Sequence, residues 1–285
     1  MKLFNKFTAI VLASALVISA GATLTSAASS LSGKITVNGS SALLPMTLQA
    51  AKEFKKKNPR VRIAASGSGS ITGPQSVKKG IADIGAVDWD ASTSVPGFPA
   101  FSGQVATPVA VIPFAAIVNK NVSVDNLTSD QLKGIYTGKI KNWKEVGGAD
   151  AAIVVVTRSF GSGTRVNFEL KALGGTRIDE KASGSIAASN SGTMATTVGS
   201  KPNSIGYVDL PYIKGDIKAL KFEGVEATTA NIVNGKYKIW GTGYYMTAGQ
   251  PTGATKAFID YVTSKEFQQG SLKKLKFIPL ASIKK

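Results

Sequence analysis

Nine consecutive residues, Thr157-Arg158-Ser159-Phe160-Gly161-Ser162-Gly163-Thr164-Arg165, bring together three kinds of anion-binding chemistry. Arg158 offers a planar fork of donors suited to a tetrahedral oxyanion, and the hydroxyls of Ser162 and Thr164 add two more. The glycines permit a tight turn, so the N–H groups of Ser162, Gly163 and Thr164 can converge at the open end of a helix. Such an end attracts anions through its unpaired donors and its dipole. The apolar run Ile153-Val154-Val155-Val156 before the turn reads as a buried strand, and Val166 to Leu173 reads as the helix. The plain alternative is a joint between strand and helix with no ligand, and a lone glycine motif does not decide between the two.

Two further loops rich in glycine and serine extend the pattern. Lys34-Ile35-Thr36-Val37 reads as a strand stopped by Asn38-Gly39-Ser40-Ser41, and a helix runs from Leu43 to Lys57. Pro45 suits its first turn, where a missing N–H costs nothing, and Asn58-Pro59 ends it. Its apolar residues recur at three and four along two rows, Leu44, Leu48, Ala51 and Met46, Ala50, Phe54. Val61 to Ala65 is the next strand, followed by Ser66-Gly67-Ser68-Gly69-Ser70-Ile71-Thr72-Gly73 and a short basic helix from Pro74 to Gly80. The third strand, Ala82 to Val87, delivers Asp88 to its C-terminal end. Strands alternating with helices predict a parallel α/β sheet, whose ligands bind where strand C-termini meet helix N-termini. All three loops fall at such ends. Taken alone, Asp88 reads as a strand-end residue capping the following turn, and Asp90 beside it reads as solvated.

Further along, Pro108 to Asn119 is nearly all apolar and long enough to cross between two lobes. Thr128 with Gln131 three residues on makes a capping box for a helix from Asp130 to Tyr136. Ser189-Asn190-Ser191-Gly192-Thr193 begins another helix, and Ser204 to Val208 forms another strand. Lys236 to Trp240 and Gly243 to Met246 read as a return crossing, and the last helix spans Thr255 to Ser264. No internal repeat or low-complexity linker separates the lobes, which predicts two lobes interleaved by two crossings.

The chain of 285 residues opens with Lys2 and Lys6, then runs uncharged to Gly33 around an apolar centre and ends that run in Thr25-Ser26-Ala27. This is the pattern of a secretory signal over residues 1–27, with a retained anchor between Phe7 and Leu24 as the alternative. Removing it takes two lysines and no acid, lowering the formal charge from +17 to +15. The lysines are scattered without interleaved aromatics, so they read as a basic, solvated surface and not as a nucleic-acid stripe. There are no cysteines and no histidines. Disulfides, lipid attachment through cysteine, Ser-His-Asp and Cys-His catalysis, and zinc sites of the usual kind are therefore excluded. No metal or cofactor is called for.

With these residues laid out, the chain resembles the phosphate-binding proteins of high-affinity phosphate ABC transporters, within the two-lobed periplasmic binding protein class. The resemblance rests on Gly39 to Pro45, Gly67 to Ser70, Ala82 to Asp88, Leu127 through Trp143, and Arg158 through Thr164. It implies an α/β, type II periplasmic binding protein-like fold with two crossover strands and a ligand cleft between lobes. Lobe I would comprise 33–112 plus 245–285, and lobe II 113–244. It also implies the site: main-chain N–H groups of Leu43 and Leu44, hydroxyls of Ser41 and Ser70, Arg158 as charged clamp, and Ser162, Gly163 and Thr164 as helix-end donors. Asp88 would accept the proton of hydrogen phosphate and so exclude sulfate, which carries none. The implied protein is exported to the periplasm or cell surface, monomeric and not an enzyme, and partners a membrane permease. Another tetrahedral oxyanion such as sulfate or molybdate is the alternative ligand, and a secreted phosphate-ester hydrolase the alternative class. The chain departs from many relatives in lacking a lipid-bearing cysteine after the signal. It also has Ser159 and Phe160 where some relatives carry an acid that pairs with the arginine, which leaves the orientation of Arg158 open.

Overall fold

Alternating strands and helices emerge from the first half of the chain in the computed structural model, which describes residues 31–283. The signal segment read over 1–27 lies outside these residues. Strand β1 (Gly33–Gly39) leads into helix α1 (Leu44–Lys57), β2 (Val61–Gly67), α2 (Thr72–Lys78) and β3 (Ile84–Val87). The three strands pair in parallel in the order β2-β1-β3, with Gly33 opposite Val61 and Val37 opposite Ile84. Pro45 sits in the first turn of α1, and the last turn carries Lys55, Lys56 and Lys57 where cations favour the helix dipole. Of the two apolar rows on α1, only Met46, Ala50 and Phe54 are buried, whereas Leu48 is half exposed. A helix lying on one sheet face needs a single stripe, and the second row was surplus to that contact.

Strand β4 (Val105–Asn119) is a long apolar crossing that starts earlier than the run from Pro108 suggests. It is followed by β5 (Asn126–Leu127), α3 (Ser129–Tyr136), β6 (Val154–Arg158), α4 (Gly163–Lys171), α5 (Glu180–Ser183), β7 (Ile186–Ala188), α6 (Ser191–Ser200) and β8 (Ser204–Asp209). Then come β9 (Ile217–Ala219), β10 (Lys221–Phe222), α7 (Thr229–Val233), β11 (Trp240–Thr247), α8 (Gly253–Thr263), α9 (Lys265–Gln269) and α10 (Ser271–Lys274). The short strands β7, β9 and β10 carry too few residues to show a period in the sequence. The principal sheet runs β2-β1-β3-β11-β4-β8-β6-β7, with β9 added on β4. The first part of β4 pairs antiparallel with β11, from Val105 opposite Thr247 to Pro113 opposite Trp240, and its last part pairs with β8, from Phe114 opposite Asp209 to Val118 opposite Ile205. One continuous strand therefore belongs to both halves of the sheet.

The return crossing is shorter than its sequence indicates. Lys236 to Lys238 do not pair as strand; the Tyr237 N–H bonds the Asn231 carbonyl at 2.8 Å and its hydroxyl donates to the Phe114 carbonyl at 2.9 Å. Those two anchors hold Tyr237 fully buried across the sheet instead of along it, and β11 begins only at Trp240. The core follows both halves of β4. Phe168 stacks on Tyr207 at 4.3 Å on one side, and Phe54 meets Phe258 edge-on at 5.5 Å on the other.

The capping box on α3 is complete: the Thr128 hydroxyl accepts the Gln131 N–H at 3.2 Å, and the Gln131 side chain accepts the Thr128 N–H at 2.9 Å. Thr128→Ala is expected to cost about 1 kcal/mol, since it leaves a helix-end donor without its acceptor. Urea denaturation should show a lower midpoint with an unchanged slope.

Candidate functional site

The three loops singled out in the sequence meet at one place. Each follows a strand C-terminus and precedes a helix. The first two leave the parallel strands β1 and β2, whereas the third leaves β6, which the antiparallel pairings through β11 and β4 set running opposite to them, so it reaches the other two from the other half of the sheet. Contact between them is direct. Ile71 N–H in the second loop donates to the Gly161 carbonyl at 3.0 Å, and Arg158 Nη2 donates to the Ser68 carbonyl at 3.2 Å. Gly163 packs so tightly that a Cβ there would lie 2.3 Å from Ser70 Oγ and 2.5 Å from Asp88 Oδ2. Only glycine allows that approach of the helix end to Asp88.

The resulting cluster is almost dry: Ser41, Ser70, Asp88, Arg158, Ser162 and Thr164 are each no more than 3% exposed. Burying that many polar groups is costly unless they are hydrogen-bonded. Several are bonded within the protein. Ser70 Oγ accepts the Asp88 N–H at 3.2 Å, which leaves its hydroxyl hydrogen to donate. Ser162 caps α4 by accepting the Arg165 N–H at 3.3 Å, while its own N–H closes a turn onto the Ser159 carbonyl at 3.2 Å. Leu43 N–H donates to Ser40 Oγ at 3.1 Å and Leu44 N–H to the Ser41 carbonyl at 3.4 Å. Among the described residues, Asp88 Oδ1, Arg158 Nε and Thr164 Oγ1 have no hydrogen-bonding partner. The N–H groups of Gly163 and Thr164 lie in the first turn of α4, where no earlier carbonyl of the helix can accept them. A carboxylate oxygen, the Nε–H of a guanidinium, a hydroxyl and a helix end thus lie together in one buried cluster without partners among the described residues.

Arg158 is held chiefly by main-chain oxygens. Besides Ser68, its Nη2 donates to the Ser189 carbonyl at 3.3 Å, and its Nη1 reaches Ser191 Oγ at 3.4 Å. Its backbone is fixed from both sides: its N–H bonds the Tyr207 hydroxyl at 3.0 Å, and its carbonyl accepts Arg165 Nη1 at 2.8 Å. Arg165 is itself paired with buried Glu169 at 2.8 Å. Neither Ser159 nor Phe160 supplies a counter-charge. Phe160 instead stacks on Phe98 at 4.6 Å and lies beneath Arg177 at 5.1 Å, while Arg177 also bonds the Pro96 carbonyl at 2.8 Å.

Burial is the largest influence on both charged site residues. It pushes the Asp88 carboxyl from 3.8 up to about 6, against the Ser40 and Ser70 hydroxyls and Arg158, which favour the charged form. Burial lowers Arg158, against the pull of Tyr207, Asp88 and Asp209. Asp90, by contrast, accepts the N–H and hydroxyl of Ser92 in an ordinary turn.

Four residues escaped the sequence reading of the site: Ser40, Ser191, Tyr212 and Asp209. Ser191 donates its N–H to Ser41 Oγ at 3.0 Å, and their hydroxyl oxygens are 2.9 Å apart; Tyr212 donates to the Ser41 carbonyl at 2.8 Å. Asp209 had a signal that was overlooked. It ends Ile205-Gly206-Tyr207-Val208-Asp209, which matches Ile84-Gly85-Ala86-Val87-Asp88 at every position but the third. In both copies the glycine lets a helix lie against the strand: a Cβ at Gly85 would strike the backbone of Gly73 in α2, and one at Gly206 would strike Met194 in α6. Among the described residues, no group of acids is placed to hold a metal ion, and no helix is long and apolar enough to cross a membrane.

Residues 24–266 match the family description of a PBP superfamily domain. The chain is 38% identical over 254 residues to the phosphate-binding protein PstS of Bacillus subtilis (strain 168), covering 89% of this chain and 83% of that one. A solved structure from Clostridium perfringens, described as a phosphate ABC transporter substrate-binding protein with bound phosphate, superposes with a TM-score of 0.79 at 32% identity. That match covers 87% of this chain and all of the other. An ABC-type phosphate transport receptor from Vibrio cholerae gives 0.67 at 29% identity, over 86% of this chain and 99% of the other.

Proposed function

The chain belongs to the PBP superfamily and, within it, to the family of the phosphate-binding protein PstS, and from that membership we propose that it captures inorganic phosphate for an ABC transporter. The observation that carries the reading to this site is the convergence of unpartnered groups in a buried cluster: Asp88 Oδ1, Arg158 Nε, Thr164 Oγ1 and the first turn of α4. Hydrogen phosphate supplies what each of them lacks. Its charged oxygens accept from Arg158, from the hydroxyls of Ser41, Ser70, Ser162 and Thr164, and from the Gly163 and Thr164 N–H groups. Its one proton faces Asp88. In this scheme the Leu43 and Leu44 N–H groups leave their present acceptors in the first loop and turn toward the anion.

The site binds and performs no chemistry on its ligand. The protein is a solute-binding protein, not an enzyme. Lobe I takes in residues 33–112 and 245–285 and lobe II residues 113–244, with β4 and β11 as the crossings between them. Closure on the anion brings the Ser68 and Ser70 loop against the Arg158 loop and presents both lobes to the permease of the transporter. The mature chain works outside the cytoplasm as a monomer, exported by the segment 1–27.

Titration calorimetry of the mature chain against phosphate, sulfate, molybdate and a phosphate ester tests this. Tight, saturable binding of phosphate alone is expected, and it should survive moderate salt because the charges are buried. Preference for sulfate or molybdate would overturn the ligand, and release of phosphate from the ester would overturn the class.

A further inference from the structure

Asp209 is the acid that the binding scheme leaves without a task. It is wholly buried at the C-terminal end of β8, and among the described residues neither carboxyl oxygen has a partner at full hydrogen-bonding geometry, although the Ser191 hydroxyl lies close enough to favour its charged form. Glu169, equally buried, is paired with Arg165 and Arg177 at 2.8 Å, whereas Asp209 is in no ion pair among the described residues. The groups that face it are Asp88 from the end of β3, Arg158 from the end of β6 and Tyr212 from the turn after β8. Ser191 on α6 and Phe114 across β4 are uncharged. Burial, reinforced by Asp88, pushes its carboxyl well above the usual carboxylate range, with the Ser191 hydroxyl and Arg158 pulling the other way.

Charge balance in the closed site gives this burial a consequence. Hydrogen phosphate carries two negative charges, and Asp88 and Asp209 would add two more around the single cation Arg158. A dry cluster with that excess is strongly disfavoured unless one acid is neutral. Asp88 already shares the proton of the ligand. We propose that Asp209 closes over bound hydrogen phosphate as the neutral acid, taking one proton from solvent as the cleft shuts and adding one O–H donor to the anion-binding cluster. In the open form, water reaches Asp209 and it ionises at neutral pH. Capture of phosphate is therefore coupled to uptake of a proton, supplied by a buffer acid that forms the new O–H bond on the carboxylate. The inference rests on the phosphate reading given above.

The test is calorimetry of the mature chain with inorganic phosphate in two mildly alkaline buffers that differ in ionisation enthalpy, where free phosphate is already mainly the dianion. The wild type is expected to take up close to one proton per phosphate bound, and its affinity should fall about tenfold for each pH unit upward. Asp209→Asn should take up almost none and show a much flatter pH profile. Phosphate binding by the wild type without proton uptake overturns the role of Asp209 and leaves the functional reading standing, and this outcome holds even if the variant fails to fold. Unchanged uptake in Asp209→Asn overturns it too. A wild type that binds no phosphate at all overturns both.

Discussion

Arg158→Ala is expected to weaken phosphate binding by about tenfold to about 150-fold. Hydrogen bonds to a charged group contribute about 1.5 to 3 kcal/mol, and roughly 1.4 kcal/mol is a factor of ten in affinity. The loss should fall at the upper end because Arg158 is the cation set against both Asp88 and Asp209. Without it, the Asp88 carboxylate and the dianion are left in a dry cluster with no counter-charge. Arg158→Lys should recover little. A lysine cannot span the Ser68 and Ser189 carbonyls and Ser191 Oγ with one planar group, and those contacts set the direction of the guanidinium. Calorimetric titration with phosphate checks both variants, and an unchanged affinity in Arg158→Ala would remove that residue from the site.

Asp88→Asn is expected to change which anion is held. In the wild type, sulfate would set an unprotonated oxygen against a buried carboxylate with no proton between them, and the repulsion is several kcal/mol, enough for a thousandfold or more. Asparagine presents a donor on the same side chain, so phosphate should bind less tightly and sulfate should begin to bind. The substitution also acts on the unliganded protein. Burial holds Asp88 near 6 in the fold against an ordinary 3.8, so the folded chain binds the extra proton and its stability falls as pH rises between those values. The asparagine variant lacks this penalty. Above pH 6 it should be the more stable protein in the absence of phosphate, by a ceiling of roughly 3 kcal/mol. Denaturant titrations of both proteins at acid and neutral pH would reveal the effect, and equal stabilities at neutral pH would show that Asp88 is hydrated in the unliganded state. Gain of phosphate affinity, or continued rejection of sulfate, would remove the discriminating role.

The three glycine-serine loops were legible because each advertises itself locally, by a strand of apolar residues before it and a helix period after it. The capping box at Thr128 and Gln131 is of the same kind, since all its partners lie within four residues. Both apolar rows of α1 announced a helix, but periodicity tells which residues share a face and not which face meets the sheet. Leu48 lies on a good helical row and is exposed. Lys236 to Trp240 misled for a similar reason: alternation alone does not say whether a neighbouring strand is present, and Tyr237 is tied instead to Asn231 and to the Phe114 carbonyl.

What the sequence determined by itself was short-range: the α/β alternation, the absence of histidine and cysteine chemistry, and three turns built to offer main-chain and hydroxyl donors. Steric freedom at glycine and the periods of helix and strand act over a few residues, so they can be read from a few residues. The tertiary structure alone decided what stands around those turns. That Ser191 meets Ser41 across 150 positions, that main-chain oxygens of Ser68 and Ser189 aim Arg158 in place of a neighbouring acid, and that Asp209 shares the cluster with Asp88 are all consequences of sheet order. Strand pairing between distant segments depends on summed burial over the whole sheet, and no local pattern carries that sum.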